Sequence, residues 1–210
     1  MIRPVVLPVA LLLAMAACDR SQPADTPAAP AAGSSTETAA TPAPAPAPTT
    51  GPNVLTAAGW GPLSVGMTLP EVTAALGPDA NPDAVGGAEP GICDQFRPER
   101  APEGTLVMME NGRLSRISLI RGSTIRTERG FGVGSTAEEI KAAYGGAVVS
   151  QPHKYSPAPA EDLFVWSNGG STGYVQDPDA RGIRYEVGTD GRVTAVHAGG
   201  PSIQLVEGCS

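Results

Sequence analysis

Hydrophobic and polar positions divide this 210-residue chain into three stretches with different patterns. Residues 4–15 are almost wholly apolar and follow a single cation, Arg3. Residues 21–52 show no apolar periodicity and are rich in alanine and proline. From residue 53 onward, apolar positions recur with the spacings of short helices and half-buried strands. The pattern therefore predicts a leader, a tether and one folded region of ordinary domain size.

The folded region carries the same helix signal twice. Residues 65–77 read VGMTLPEVTAALG, and residues 133–145 read VGSTAEEIKAAYG. In each copy a threonine at the N-cap position is followed three residues later by a glutamate, which is the capping-box pattern. These pairs are Thr68 with Glu71 and Thr136 with Glu139. A glycine closes each copy, so each predicts one short helix.

A hairpin signal also occurs twice, at Asn111-Gly112 and Asp190-Gly191. Asn-Gly and Asp-Gly between alternating apolar residues favour two-residue type I′ turns. We expect hairpin strands at residues 106–109, 114–120, 183–187 and 193–197, and further strands at residues 162–166, 173–176 and 203–206. The helix signals lie 68 residues apart and the turn signals 79 apart. The second copy therefore carries an insertion, which we place within residues 152–179.

A helix followed by antiparallel strands, twice over, predicts an α+β domain. We expect two tandem helix-plus-antiparallel-hairpin repeats that form one sheet with the helices on one face. The domain is assigned to residues 53–210, with copies at about 60–129 and 130–209. Because two short helices cannot cover both faces of such a sheet, we expect one face to stay open to solvent or to a partner.

The leader predicts the location of the protein. Residues 1–17 have the layout of a secretory signal peptide. Two alanines directly before Cys18 resemble the bacterial lipobox, in which that cysteine is lipidated, although Met15 stands where leucine is usual. An ordinary signal peptide with an Ala-x-Ala cleavage site is the alternative. Residues 18–52 then form a disordered tether. We expect a lipid-anchored protein on the periplasmic side of a bacterial membrane, inner or outer.

Charge and cysteines narrow the function classes. The chain has 14 basic and 21 acidic residues, a net charge of −7, which argues against a nucleic-acid partner. With Cys18 assigned to lipid, Cys93 and Cys209 remain, and an oxidising compartment makes a disulfide between them the default. A reactive thiol or a metal pair is the alternative. Neither cysteine has a second ligand at metal-binding spacing, so we predict no metal and no cofactor.

Five residues are candidates for binding. His153, Lys154 and Tyr155 stand together in the predicted insertion, where they would form a polar and aromatic lip or, alternatively, a solvated strand start. Trp60 lies at the entrance of the domain and offers a flat ring for stacking. Arg116 belongs to an arginine-rich stretch that would meet a carboxylate-bearing partner or, alternatively, form a solvated face. Sequence signatures of hydrolases, metalloproteases and phosphate loops do not occur, which favours a protein that is not an enzyme.

The helix-cap stretch resembles two families, the beta-lactamase-inhibitory proteins and the small outer-membrane lipoproteins of the SmpA/OmlA type. That resemblance implies a protein-binding sheet surface. Residues 152–155, 190–194 and 206–210, read PHKY, DGRVT and VEGCS, are similar to a group of uncharacterised bacterial envelope lipoproteins, some of them loosely called lectins. We therefore expect a non-catalytic lipoprotein that binds an envelope protein. Glycan binding is the alternative, and a small periplasmic hydrolase is less favoured.

Overall fold

The computed structural model describes Gly51, residues 53–170 and residues 172–209. The predicted signal peptide, Cys18 and all of the tether except Gly51 lie outside these residues. The described residues belong to one compact unit. Among them, neither helix has the length and apolar character needed to cross a bilayer.

The described region contains eleven strands and two α-helices, which confirms the predicted α+β class. The strands are β1 (Val54–Leu55), β2 (Gly59–Trp60), β3 (Leu63–Ser64), β4 (Cys93–Phe96), β5 (Thr105–Glu110), β6 (Arg113–Leu119), β7 (Arg126–Thr127), β8 (Val148–Pro152), β9 (Glu161–Trp166), β10 (Gly182–Val187) and β11 (Val193–Gly199). The α-helices are α1 (Leu69–Leu76) and α2 (Ala137–Tyr144), and 3₁₀ helices lie at Gly145–Ala147 and Pro201–Gln204.

Seven antiparallel strands form the main sheet, in the order β4-β5-β6-β11-β10-β9-β8. The hairpins β5–β6 and β10–β11 meet at its centre, where Leu119 lies opposite Val196. Strands β1 and β7 form a short parallel pair, and β2 and β3 form a short antiparallel pair. Each half of the main sheet is thus a meander of strands that follow one another in the chain.

Both α-helices pack on the same face of the main sheet. Val72 of α1 and Ile140 of α2 are fully buried in one apolar cluster with alternate residues of the strands, such as Ile183 and Tyr185 of β10. Alternate strand residues point to opposite faces, so this cluster defines the helix-covered face.

The N-terminus of each helix is bonded to the turn of its own hairpin in the same way. The Leu69 N–H donates to the Gly112 carbonyl at 3.2 Å. In the second half, the Ala137 N–H donates to the Gly191 carbonyl at 3.0 Å. Two further pairs of bonds match between the units. The Arg113 side chain donates to the Gly66 carbonyl, as Arg192 does to the Gly134 carbonyl, both at 2.9 Å. The Leu114 N–H donates to the Met67 carbonyl at 2.7 Å, as the Val193 N–H does to the Ser135 carbonyl at 2.8 Å. The two helix–hairpin units share this junction, while their origin as a tandem repeat stays a prediction.

The two turns differ. Asn111 and Gly112 have φ values of 49° and 74°, as the predicted type I′ turn requires. At the second turn only Gly191 has a positive φ, 73°. There the Asp190 carboxylate accepts the Arg192 N–H at 3.0 Å and stabilises a longer loop over residues 188–192. The prediction of a two-residue turn at Asp190-Gly191 is therefore wrong.

Other strand predictions also need correction. Residues 173–176 are not a strand, and residues 203–206 begin inside the 3₁₀ helix Pro201–Gln204. Proline at the start of that segment favours a helical first turn. Strands β4 and β8, at the two edges of the main sheet, were not predicted because their sequences lack a clear alternation of apolar and polar residues.

The second face of the main sheet is covered at its centre by residues 201–209, here called the C-terminal segment, which corrects the expectation of an open face. Arg116 of β6 donates to the carbonyls of Ser202 and Leu205, at 3.1 and 2.8 Å. Arg184 of β10 donates to the Ile203 carbonyl at 3.3 Å. A short tail can lie on a sheet when buried side chains satisfy its backbone carbonyls.

A disulfide closes this arrangement. Cys93 and Cys209 are bonded, with their Cα atoms 5.4 Å apart and their positions separated by 116 in the sequence. The predicted disulfide is confirmed. It ties the end of the C-terminal segment to β4, the edge strand of the first half of the sheet.

Candidate functional site

A cleft of about 290 Å³ opens on the second face of the main sheet, beside the C-terminal segment. Strands β8 and β9 form its floor, the loop between β9 and β10 forms one wall, and the C-terminal segment forms another. The residues that matter most to its chemistry are Gln151, Lys154, Asp162, Phe164, Tyr174 and Gln204.

Asp162 is the acidic group of the cleft. Its Oδ1 atom accepts from Arg184 Nε at 2.8 Å, and the Arg184 side chain is wholly buried. Burial raises the pKa of the Asp162 carboxyl, and the charge and hydrogen bond of Arg184 oppose that shift. Among the described residues Oδ2 has no hydrogen-bond partner, so it remains available as an acceptor.

Gln151 lies directly beside Asp162. The two residues are paired across strands β8 and β9, which places both side chains on the same face. The Gln151 amide makes no hydrogen bond within the described part of the chain. A free amide, which can both donate and accept, thus stands next to a free carboxylate oxygen.

Two aromatic rings flank these polar groups. Phe164 is 5 % exposed and stacks on Trp166, with ring centroids 6.3 Å apart and an interplanar angle of 4°. Tyr174 lies on the wall of the cleft and is 61 % exposed. The first ring is fixed by packing, whereas the second offers an accessible face.

The walls of the cleft are joined to each other by hydrogen bonds. Gln204, on the C-terminal segment, accepts from Val175 N and donates to Val175 O, both at 2.9 Å. At the rim, Lys154 Nζ lies 3.1 Å from a carboxylate oxygen of Glu207. The position of the loop that carries Tyr174 therefore depends on the position of the C-terminal segment.

Behind the cleft, Glu186 is the centre of a polar network. Nε2 of His153 lies 3.6 Å from one of its carboxylate oxygens, and Nε2 of His197 lies 3.8 Å from the other. Arg184 lies 3.4 Å from the carboxylate as well. The interaction with His197 is the main cause that lowers the pKa of Glu186 to about 2. Burial lowers the pKa of His197 to about 4 and keeps its ring neutral.

Ser118, His197 and Glu186 form a relay that resembles the arrangement of a hydrolase triad. The Ser118 hydroxyl lies 2.9 Å from His197 Nδ1, while Nε2 faces Glu186. Ser118 is 1 % exposed, and neither Ser118 nor His197 lines the cleft. A substrate cannot reach this hydroxyl in the folded protein, so the relay acts as a buried hydrogen-bond network. Within the described residues, no group of three or more His, Cys, Asp or Glu side chains has the geometry of a metal site.

Two of the five predicted binding residues are buried and cannot contact a ligand, which corrects those predictions. Trp60 is 7 % exposed and belongs to the apolar core on the helix-covered face. Arg116 is 2 % exposed and holds the C-terminal segment, with a further hydrogen bond to Gln95 at 2.7 Å. Alternation along β6 directs Arg116 to the sheet face that the segment covers, which the arginine-rich stretch alone did not reveal.

The other three predicted residues lie near the cleft in different roles. His153 accepts the backbone N–H groups of Tyr155 and Ser156 at its Nδ1 and faces Glu186 with Nε2, so it belongs to the buried network. Lys154 lines the cleft. Tyr155 is 60 % exposed, lies under the Lys154 ammonium at 4.9 Å, and is not part of the lining.

Sequence reasoning missed Gln151, Asp162, Tyr174 and Gln204. Each lies in a different element, and no local spacing connects them. The one available signal was the acidic Asp162 at the start of an otherwise apolar predicted strand, because a buried carboxylate requires a partner.

Comparisons with known proteins add little to this picture. No protein-family model matches the chain. No curated protein matches it either. One solved structure is similar, the crystal structure of a DUF4309 family protein (YjgB) from Bacillus subtilis. It is 19 % identical, covers 63 % of this chain and 78 % of its own, and has a TM-score of 0.39. That likeness carries no argument about function, and the family resemblances inferred from the sequence stay predictions.

Proposed function

We propose that this chain is a non-catalytic binding protein of the bacterial cell envelope, anchored by lipid at Cys18, whose folded domain holds a small polar ligand in the cleft. The leader pattern supports export and anchoring. The Cys93–Cys209 disulfide suits an oxidising compartment.

The observation that carries the proposal is the contrast between the cleft and its surroundings. Behind the cleft, the charge and hydrogen-bonding groups of Arg184 are taken up by Asp162, Glu186 and the Ile203 carbonyl. In front of them, the Gln151 amide and Asp162 Oδ2 have no partner among the described residues. A rigid polar floor with a few free groups is typical of a preformed ligand site.

Hydroxyl-radical footprinting in intact producing cells tests this proposal without knowledge of the ligand. Tyr174 and Tyr155 are exposed to almost the same extent, but only Tyr174 lines the cleft. We expect Tyr174 to be labelled several-fold less in cells than in the purified protein, and Tyr155 to be labelled equally in both. Equal labelling of Tyr174 in both samples would contradict the proposal.

The anchor has a separate test. Cys18→Ala should move the protein from the membrane fraction to the soluble fraction, because at least two acyl chains are needed for stable anchoring. Retention of the variant in the membrane fraction would show that lipid at Cys18 does not hold the protein there.

A protein partner is the second candidate, in line with the resemblance to protein-binding modules. Val85 is 90 % exposed and Ile92 is 55 % exposed, both in the connection between α1 and β4. A partner bound at this connection would protect these two side chains in the same footprinting experiment and leave Tyr174 labelled.

A further inference from the structure

The charges around the cleft restrict the ligand. Among the described residues, Lys154 is the one cation in the lining of the cleft, and its ammonium is paired with Glu207. Arg184, beneath the floor, uses Nε on Asp162, one terminal nitrogen on the Ile203 carbonyl and the other on Glu186. An anionic ligand would lie beside the Asp162 carboxylate and near Glu207, and both cations of this region already have carboxylate partners, so the cleft is poorly suited to phosphates and carboxylates.

A cationic ligand is equally poorly matched. It would compete with Arg184, which lies 2.8 Å from Asp162 and 3.4 Å from Glu186, and with Lys154, which is paired with Glu207. Among the described residues, the hydrogen-bonding groups of the lining that have no partner include the Gln151 amide and the second oxygen of Asp162. The ligand that fits this set is neutral and carries several hydroxyl or amide groups.

The aromatic wall adds a second requirement. Tyr174 presents an accessible ring beside the hydrogen-bonding pair, and Phe164 forms an apolar part of the lining. A pyranose ring has an apolar face of C–H groups and a rim of hydroxyl groups. Such a molecule can pack its C–H face on the tyrosine while its hydroxyls bond to the amide and the carboxylate.

We infer that the cleft binds a neutral saccharide, with Tyr174 as the stacking residue and Gln151 and Asp162 as the hydrogen-bonding pair. This inference rests on the proposed function, because it names the ligand class of the same site. Gln204 is a positioning residue, since it holds the Tyr174 loop through Val175 without presenting a free polar atom of its own.

Calorimetric titration of the purified full chain tests the ligand class. The probes are chitotriose and maltotriose as neutral saccharides, glutamate as an anion, the dipeptide Ala-Ala as a zwitterion and spermidine as a cation. We expect binding of at least one saccharide and of none of the charged probes. Tyr174→Ala and Gln151→Ala should each weaken saccharide binding by roughly fivefold, since one stacking contact or hydrogen bond contributes about 1 kcal/mol.

Tyr155→Ala is the matched control, because it removes an equally exposed ring outside the cleft, and it should leave the affinity unchanged. Urea unfolding of each variant confirms that the fold is intact. Asp162→Asn would be ambiguous, because it also removes the charged partner that lies 2.8 Å from the buried Arg184.

The outcomes separate the inference from the proposed function. Saccharide binding that depends on Tyr174 and Gln151 supports both. Absence of saccharide binding, with Tyr174 still protected in cells, overturns the ligand class and leaves the binding function in place. Absence of both saccharide binding and protection overturns both. Saccharide binding that is unaffected by either cleft variant contradicts the assignment of the site.

Discussion

The two helix–hairpin units have the same junction between helix and hairpin turn, but they differ in their other strands and loops. In both, the helix N-terminus is bonded to the hairpin turn by equivalent hydrogen bonds, such as Leu69 to Gly112 and Ala137 to Gly191. The first unit continues into a three-stranded meander, β4 to β6. The second has four strands, β8 to β11, and a long loop over residues 167–181. The cleft lies in this added part, so the shared junction supplies the scaffold and the added elements supply the candidate site.

The disulfide connects the two halves, and its removal should have the largest effect. Cys93→Ser with Cys209→Ser opens a loop of 116 residues. We expect a loss of about 4–5 kcal/mol in the free energy of unfolding, because the unfolded chain gains conformational freedom. Urea unfolding measures the change, and reduction of the unmodified protein should lower its stability by a similar amount. A loss below about 1 kcal/mol would show that the C-terminal segment is held by other contacts.

The two buried arginines, one in each unit, provide a sharper comparison. Arg184 is paired with Asp162 and Glu186, whereas the hydrogen bonds of Arg116 go to carbonyls and to Gln95. Arg184→Leu should cost about 3–5 kcal/mol, because it leaves buried carboxylates unpaired. Arg116→Leu should cost about 1–3 kcal/mol, because it leaves only neutral acceptors without a donor. Urea unfolding of the two variants tests the order, and a larger loss for Arg116→Leu would contradict the roles given to them.

The second unit should also make the stability of the protein sensitive to mild acid. Burial lowers the pKa of His197 from 6.5 to about 4. Between these values the unfolded chain binds more protons than the folded one, so stability falls as pH falls from 6.5 to 4, by roughly 3 kcal/mol. His197→Gln should flatten the dependence of the unfolding free energy on pH in this window. An unchanged slope in the variant would show that another group causes the acid sensitivity.

Below this window the network should lose a second contribution. The pKa of Glu186 is lowered from 4.5 to about 2. A carboxylate with a lowered pKa stabilises the folded state above its unfolded pKa, and this stabilisation is lost as pH falls from 4.5 towards 2. Glu186→Gln should weaken the dependence of the unfolding free energy on pH between those values. A variant that keeps the same loss of stability on acidification would contradict the place of Glu186 at the centre of the network.

The capping boxes should give the smallest effects and the closest match between units. Thr68 N donates to Glu71 Oε2 at 2.7 Å, and Thr136 N donates to Glu139 Oε2 at 2.9 Å. These bonds lower the pKa of both glutamates. Thr68→Ala and Thr136→Ala should lower the melting temperature by a small and similar amount. A clear difference between the two variants would show that the junctions are not energetically equivalent.

How well each part of the fold could be predicted from the sequence depends on how far apart in the chain its interacting residues lie. The capping boxes and the Asn111-Gly112 turn were predicted because each depends on residues close together in the chain. Strands β4 and β8 were missed because edge strands are held by one neighbour and need no strict alternation. The cover of the second face could not be predicted because it depends on contacts of the C-terminal segment with β6 and β10. Arg116 of β6, for example, donates to Leu205, which lies 89 positions further along the chain.

The candidate site was harder to predict for a related reason. The proposed contact residues Gln151 and Tyr174 are brought together by the pairing of β8 with β9 and by the Gln204 bonds to the loop. Sequence spacing alone pointed to the neighbouring residues 153–155, of which Lys154 lines the cleft. Trp60 was misassigned because a tryptophan near a domain entrance packs as readily in a core as on a surface.

A nitrogen-15 NMR titration of the protein with chitotriose and maltotriose tests the central claim most directly, since it reports both binding and its place. We predict that backbone signals of Gln151, Asp162 and Tyr174 shift with the saccharide, while those of Val85 and Ile92 stay unchanged. Shifts confined to the connection between α1 and β4, with the cleft signals unmoved, would contradict the assignment of the site to the second unit.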